Sequence, residues 1–137
     1  RLVAGFGLCL HGYSKITKAT SWMGPESWAP PILQGLAAVA EFGGGLALLF
    51  GLLTPLACLG IICVMATAIV SVHLAHGHPF VAKGGPSYEI ALMYLAVAFS
   101  TMMTGPGVFS IDALLFKRKL VMPSTVERRQ TVSSVID

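Results

Sequence analysis

Charge is scarce in this chain. Only 11% of its 137 residues are Asp, Glu, Lys or Arg, against about 25% in soluble domains. So few ionic groups cannot clothe a water-facing surface, and the mean hydropathy of +0.77 agrees. Cysteine is also sparse: Cys9, Cys58 and Cys63 are odd in number, sit in apolar runs and form no C-x-x-C. That excludes a disulfide framework or a cysteine metal site and leaves reduced core thiols. There is no G-x-S-x-G, no Walker loop and no dinucleotide fingerprint, so no self-sufficient catalytic motif is present. No inverted repeat of the kind that builds transporters is visible. The formal charge of +3 is not a nucleic-acid signal. Lys117, Arg118, Lys119, Arg128 and Arg129 follow the last apolar run, where a membrane protein keeps its cytoplasmic basic residues.

What the chain has is apolar runs of bilayer length. Ile32–Leu53, Leu56–His76 and Ser87–Thr104 each approach the ~20 residues that a ~30 Å hydrocarbon core requires. The first run, Arg1–Tyr13, reaches only ~20 Å as a helix. Because the chain begins at Arg1 rather than Met, the expectation is that the start of helix 1 is missing. A signal peptide is not expected, since the run lacks a small-residue cleavage site and ends in His11-Gly12. The sequence therefore predicts an all-α membrane protein, a bundle of four transmembrane helices. Gly105-Pro106-Gly107 should stop the fourth span, because proline cannot continue a helix and the glycines permit a sharp turn. Val108–Leu115 would resume as a short interfacial helix, with Ser110 capping it and Asp112 in its first turn. Residues 1–122 form the transmembrane domain, and 123–137 a polar cytoplasmic tail.

Orientation follows from counting basic residues. Four spans place both termini and the Gly51–Pro55 link on one side, which carries the five C-terminal Lys and Arg. The other side carries Lys15, Lys18 and Lys83. The C-terminus is then cytoplasmic, and the first and third loops are outside. Trp22 and Trp28 suit an interfacial aromatic belt.

One carboxylate interrupts the second span. Glu41 lies ~14 Å deep, and an intramembrane charge is expensive enough to mark a functional site. Arg1 lies ~18 Å deep in helix 1 and is of opposite sign, so a direct Arg1–Glu41 pair inside the bundle is expected. Gln34, Ala37, Ala38, Gly44, Gly45 and Leu48 share the side of Glu41; the small residues among them permit a close helix approach. Nearer the outer surface, His11, His73, His76 and Glu89, preceded by Tyr88, are expected to form a second polar layer. His76 and His78 flank Gly77 and read as solvated loop residues. His73-x-x-His76 with a remote Glu does not make a metal set. Gly43-Gly44-Gly45 and the six methionines read as packing.

The stretches "RLVAGFGLCLHGYSK", "AEFGGGLALLFGLLTPLA", "ATAIVSVHLAHG", "YEIALMYL" and "GPGVFSIDALL" resemble the DoxX family of small bacterial membrane proteins, in order from Arg1 to Leu115. The resemblance implies four helices, the bacterial cytoplasmic membrane and a respiratory context, since the family is associated with quinol oxidase and thiosulfate:quinone oxidoreductase. Matching positions are Arg1, His11, Gly12, Glu41, His73, Glu89, Gly105, Pro106, Ser110 and Asp112. Pro55 stands where a basic residue is often found.

Two functions from different classes follow. In one, the chain is a membrane subunit whose Arg1, His11, Glu41, His73 and Glu89 bind quinone oxygens or move protons. With no haem ligand pair, flavin motif or catalytic cysteine pair, any electron donor would be another subunit. In the other, the polar cluster only locks helices in a structural or assembly subunit of a larger complex.

Overall fold

The computed structural model describes residues 1–116. The basic residues Lys117–Lys119, the domain boundary at 122 and the expected tail lie outside the described residues. Every regular element among those described is helical: α1 (Leu2–Ile16), α2 (Pro31–Phe50), α3 (Thr54–Ala68), α4 (Glu89–Thr104) and α5 (Ile111–Phe116). A π-helical segment, Ile69–Leu74, continues α3. Two helices are long and apolar enough to cross a membrane, Pro31–Phe50 with 20 residues and Thr54–Leu74 with 21. Only 33% and 17% of their apolar windows are buried, so these are not the enclosed core helices of a soluble protein. α4 is apolar but shorter, and α1 has 15 residues.

Element boundaries have local causes. Pro31 and Pro55 occupy first-turn positions of α2 and α3, where a missing N–H costs nothing and φ is already helical. α2 ends at Gly51 in the left-handed region (φ 67°). The Gly51 N–H donates to Leu48 O and the Leu52 N–H to Ala47 O, the paired bonds of a Schellman stop. The second span thus ends three residues earlier than expected, at Phe50, and α3 begins two residues earlier, at Thr54. α4 ends at Thr104, followed by Gly105 (φ 85°) and Gly107 (φ 80°). The expected break is there. Ser110 accepts from the Ala113 N–H at 3.1 Å, so it caps α5 as expected, though the helix starts at Ile111 rather than Val108.

The helices pack in chain order, α1 on α2, α2 on α3 and α3 on α4, with a small α1–α4 contact. Leu8, Leu48, Cys58, Ile61, Met65, Ala91 and Ala98 form the shared core. Outward faces carry Val3, Phe6, Ile32, Leu36, Leu59 and Val70, all more than half exposed. Such a surface needs lipid or protein cover, not water.

α1 and α2 touch backbone to backbone. A Cβ on Gly5 would lie 2.8 Å from Gly45 O and Leu49 N. One on Gly12 would lie 2.6 Å from Phe42 N, and one on Gly45 2.9 Å from Cys9 N. This antiparallel register is fixed by glycine, since no larger residue fits at those positions. Gly12→Ala should therefore lower thermal stability in detergent by ~1–3 kcal/mol, the usual range for overpacking. Gly43→Ala should be silent, because its Cβ would meet only Val39 Cγ1 at 3.8 Å. Equal melting of the two variants would contradict this packing.

Candidate functional site

The glycine register decides what meets Glu41. Gly5, Leu8 and Gly12 are the buried residues of α1, and their spacing continues one step to Lys15. α1 runs past Tyr13 to Ile16, so Lys15 is a helix residue aimed at α2. On α2 the buried stripe is Gln34, Ala38, Glu41, Gly44, Gly45 and Leu48, as the small-residue face predicted. Glu41 is 2% exposed and points inward. Its Oε1 takes an ion pair from Lys15 Nζ at 2.5 Å.

The expected Arg1–Glu41 pair does not form. Gly5 lies against Gly45 and Leu49, which puts Arg1 level with the end of α2. α1 continues three residues past its apolar run, and Arg1 lies at the level of Gly51, about ten residues from Glu41 or ~15 Å along a helix axis. Arg1 instead donates from Nη1 to Pro106 O (2.8 Å) and from Nη2 to Phe109 O (2.7 Å). Asp112, buried, binds the same end of the molecule. Its two oxygens accept from the Leu53 and Thr54 N–H groups, each at 2.8 Å, and the Asp112 N–H donates to Gly51 O at 2.8 Å. Burial pushes the Asp112 carboxyl upward, but the Thr54 and Leu53 donors and nearby Arg1 outweigh it and hold the pKa below the ordinary value. These bonds keep Leu53 at φ 46°, a left-handed conformation that a leucine adopts only when its surroundings enforce it. Arg1, Gly105, Pro106, Gly107, Ser110 and Asp112 thus build a structural clasp rather than part of the Glu41 site.

Nor does the second polar layer assemble. His11 is exposed and packs edge-on to Tyr94, with ring centroids 5.9 Å apart. His73 Nδ1 meets His78 Nδ1 at 3.2 Å, and exposed His76 binds Val72 O. Glu89 is exposed at the start of α4. Among the described residues, none of the hydrogen bonds, ion pairs or ring contacts of His11, His73 or Glu89 involves another of the expected site residues. Among those residues no group of three or more His, Cys, Asp or Glu could hold a metal ion.

What surrounds Glu41 is a cavity of about 260 Å³ between α2, α3 and the first loop. Its floor is the Lys15–Glu41 pair. Its roof is Trp22, Met23, Trp28 and Ala29. The Lys15 ammonium also lies 4.6 Å from the Trp22 ring centroid, a cation–π distance. Gln34, 3% exposed, fastens the roof. It accepts from the Met23 N–H (3.1 Å) and donates to Ala29 O (2.9 Å), while Trp22 Nε1 donates to the Gln34 carbonyl (3.1 Å). Among the described residues the Glu41 carboxylate accepts a hydrogen bond at Oε1 alone, and Glu41 lines the cavity. A largely apolar cavity with a carboxylate and an ammonium on its floor suits a ligand with a flat apolar ring and few polar atoms.

The family model of DoxX matches residues 1–74, more than half of the chain. The chain belongs to the DoxX family. Among curated proteins and solved structures, none matches it. The matched segment contains every residue lining the cavity, whereas α4 and α5 lie beyond it. Together with the two outward-facing apolar helices, membership makes this DoxX chain a membrane protein, and its helices contact lipid. The sequence reading places Gln34 on the Glu41 side of α2 but does not bring Lys15 or Trp22 to the Glu41 site. For Lys15 the 5, 8, 12, 15 spacing was an available signal.

Removing one member of the pair strands the other. Glu41→Gln or Lys15→Met should each cost ~2–3 kcal/mol, below the ~3–5 of a fully enclosed pair because Lys15 keeps some water contact. The double variant Glu41→Leu with Lys15→Met should recover most of that loss, read as thermal unfolding in detergent. A double variant no more stable than the worse single would contradict the pairing.

Proposed function

We propose that this DoxX chain is a four-span subunit of the bacterial cytoplasmic membrane, with a cytoplasmic C-terminus, that binds a quinone or quinol headgroup in the Lys15–Glu41 cavity. The observation that carries this reading is a Glu41 carboxylate bonded at Oε1 alone among the described residues, beside the Lys15 ammonium in a largely apolar cavity roofed by two tryptophans. Oε2 accepts a hydrogen bond from a quinol hydroxyl, and the ammonium donates to a quinone carbonyl. Trp22 and Trp28 offer flat apolar surface for the ring. At about 260 Å³ the cavity is smaller than the ~300–1,000 Å³ of drug-sized sites, which fits a headgroup and not a whole lipid.

In this role Glu41 is the group that takes or returns a ligand proton, and Lys15 holds the carboxylate oriented. Electrons come from or go to another membrane subunit, which gives the chain its place in a respiratory or quinone-linked assembly. The runner-up, a purely structural subunit, draws on the same salt bridge, since a buried pair beside a glycine contact can fix register alone.

Binding separates the two. Titration of the purified full chain with a benzoquinone, followed by tryptophan fluorescence, should give saturable quenching. Glu41→Gln should weaken it at least tenfold, as expected for losing a charge-assisted hydrogen bond. Absence of saturable quenching, or equal affinity in Glu41→Gln, would leave the structural reading standing.

A further inference from the structure

Three walls of the cavity are closed. The Lys15–Glu41 pair shuts the side towards α1, and Gln34 ties the roof of the first loop to α2. At the opposite end α2 and α3 are in contact, with Ile61 Cγ1 3.1 Å and Ala40 Cβ 3.5 Å from where Cβ atoms on Gly44 and Gly60 would lie. The fourth wall differs. From Ala37 and Val64 outward the two helices line opposite sides of the cavity. The side chains there, Leu33 at 50% exposure on α2 and the exposed Cys63 and Thr67 on α3, also belong to the outer apolar surface.

We infer that the cavity opens sideways between α2 and α3 at Leu33, Cys63 and Thr67, and that its ligand carries a long apolar tail that leaves through this mouth. The inference rests on the headgroup reading above for what lies at the Glu41 end. It adds the chemical class of the ligand, a ring on a hydrocarbon chain dissolved in the bilayer, and the path it takes. A tail lying along Leu33, Val64 and Thr67 exchanges lipid contact for protein contact, so its gain is van der Waals packing and not removal from water. Cys63 is an exposed member of the lining, and tryptophan there adds bulk between α2 and α3 while leaving Glu41 and Lys15 in place.

The experiment uses the full chain in nanodiscs and two probes, dimethoxy-methyl-benzoquinone as the bare ring and its decyl derivative. In Cys63→Trp the decyl compound should bind at least tenfold more weakly than in the parent, with bare-ring affinity unchanged, which also shows that the variant folds. Cys63→Ala should leave both affinities as they are. In the parent chain, decylquinone should slow alkylation of Cys63 by N-ethylmaleimide and the bare ring should not. Equal affinity of decylquinone for the parent and Cys63→Trp, or no protection of Cys63 by it, would overturn the lateral mouth while leaving the headgroup site intact. Failure of the bare ring to bind the parent, or binding indifferent to Glu41→Gln, would instead remove the headgroup reading and this inference with it.

Discussion

The close approach of α1 to α2 is the constraint from which the rest follows. Gly5, Gly12 and Gly45 bring two backbones together with no side chain between them. Contact that tight permits no slippage, because a shift by one residue would place Cβ atoms where carbonyls and amides now lie. The register carries Lys15 to Glu41 and Arg1 to the clasp at the far end. Neither ion could find its partner in another register.

A carboxylate at 2% exposure in an apolar helix is costly unless paired and hydrogen-bonded. Lys15 meets that need at one oxygen only. Lys15 lines the cavity and its ammonium faces an indole, so the cation is held from two sides while, among the described residues, the second carboxylate oxygen takes no hydrogen bond. A pair serving only to join helices gains most when every lone pair is satisfied. The half-satisfied carboxylate, opening on an apolar chamber, is therefore what favours ligand binding over simple cross-linking.

Much of this was legible in the sequence. The runs that became α2 and α3, the inward direction of Glu41, the stop at Gly105-Pro106-Gly107 and the Ser110 cap all follow from local chemistry. Errors arose where the answer depended on how helices meet. Tyr13-Ser14-Lys15 looks like a helix exit because it is polar, yet α1 continues through it, so Lys15 and not Arg1 reaches Glu41. Asp112 was assigned to its own helix, but its partners are the Leu53 and Thr54 amides, more than fifty residues earlier and visible only in three dimensions. The histidine layer assumed regular α-helix up to His76. The π-helical turn at Ile69–Leu74 is wider, so every side chain after it faces a direction that a 3.6-residue period does not give. Family membership covers the cavity residues but says nothing of what fills it, since function lies in the site and not the fold.

The central claim is that Glu41 and Lys15 form the polar end of a ligand chamber. A density map of the protein purified from its native membrane in a mild detergent tests it most directly. The account predicts planar density under Trp22, with polar atoms within hydrogen-bond reach of Glu41 Oε2 and Lys15 Nζ. A chamber filled by an acyl chain or by protein side chains, with Oε2 bonded within the protein, would contradict it.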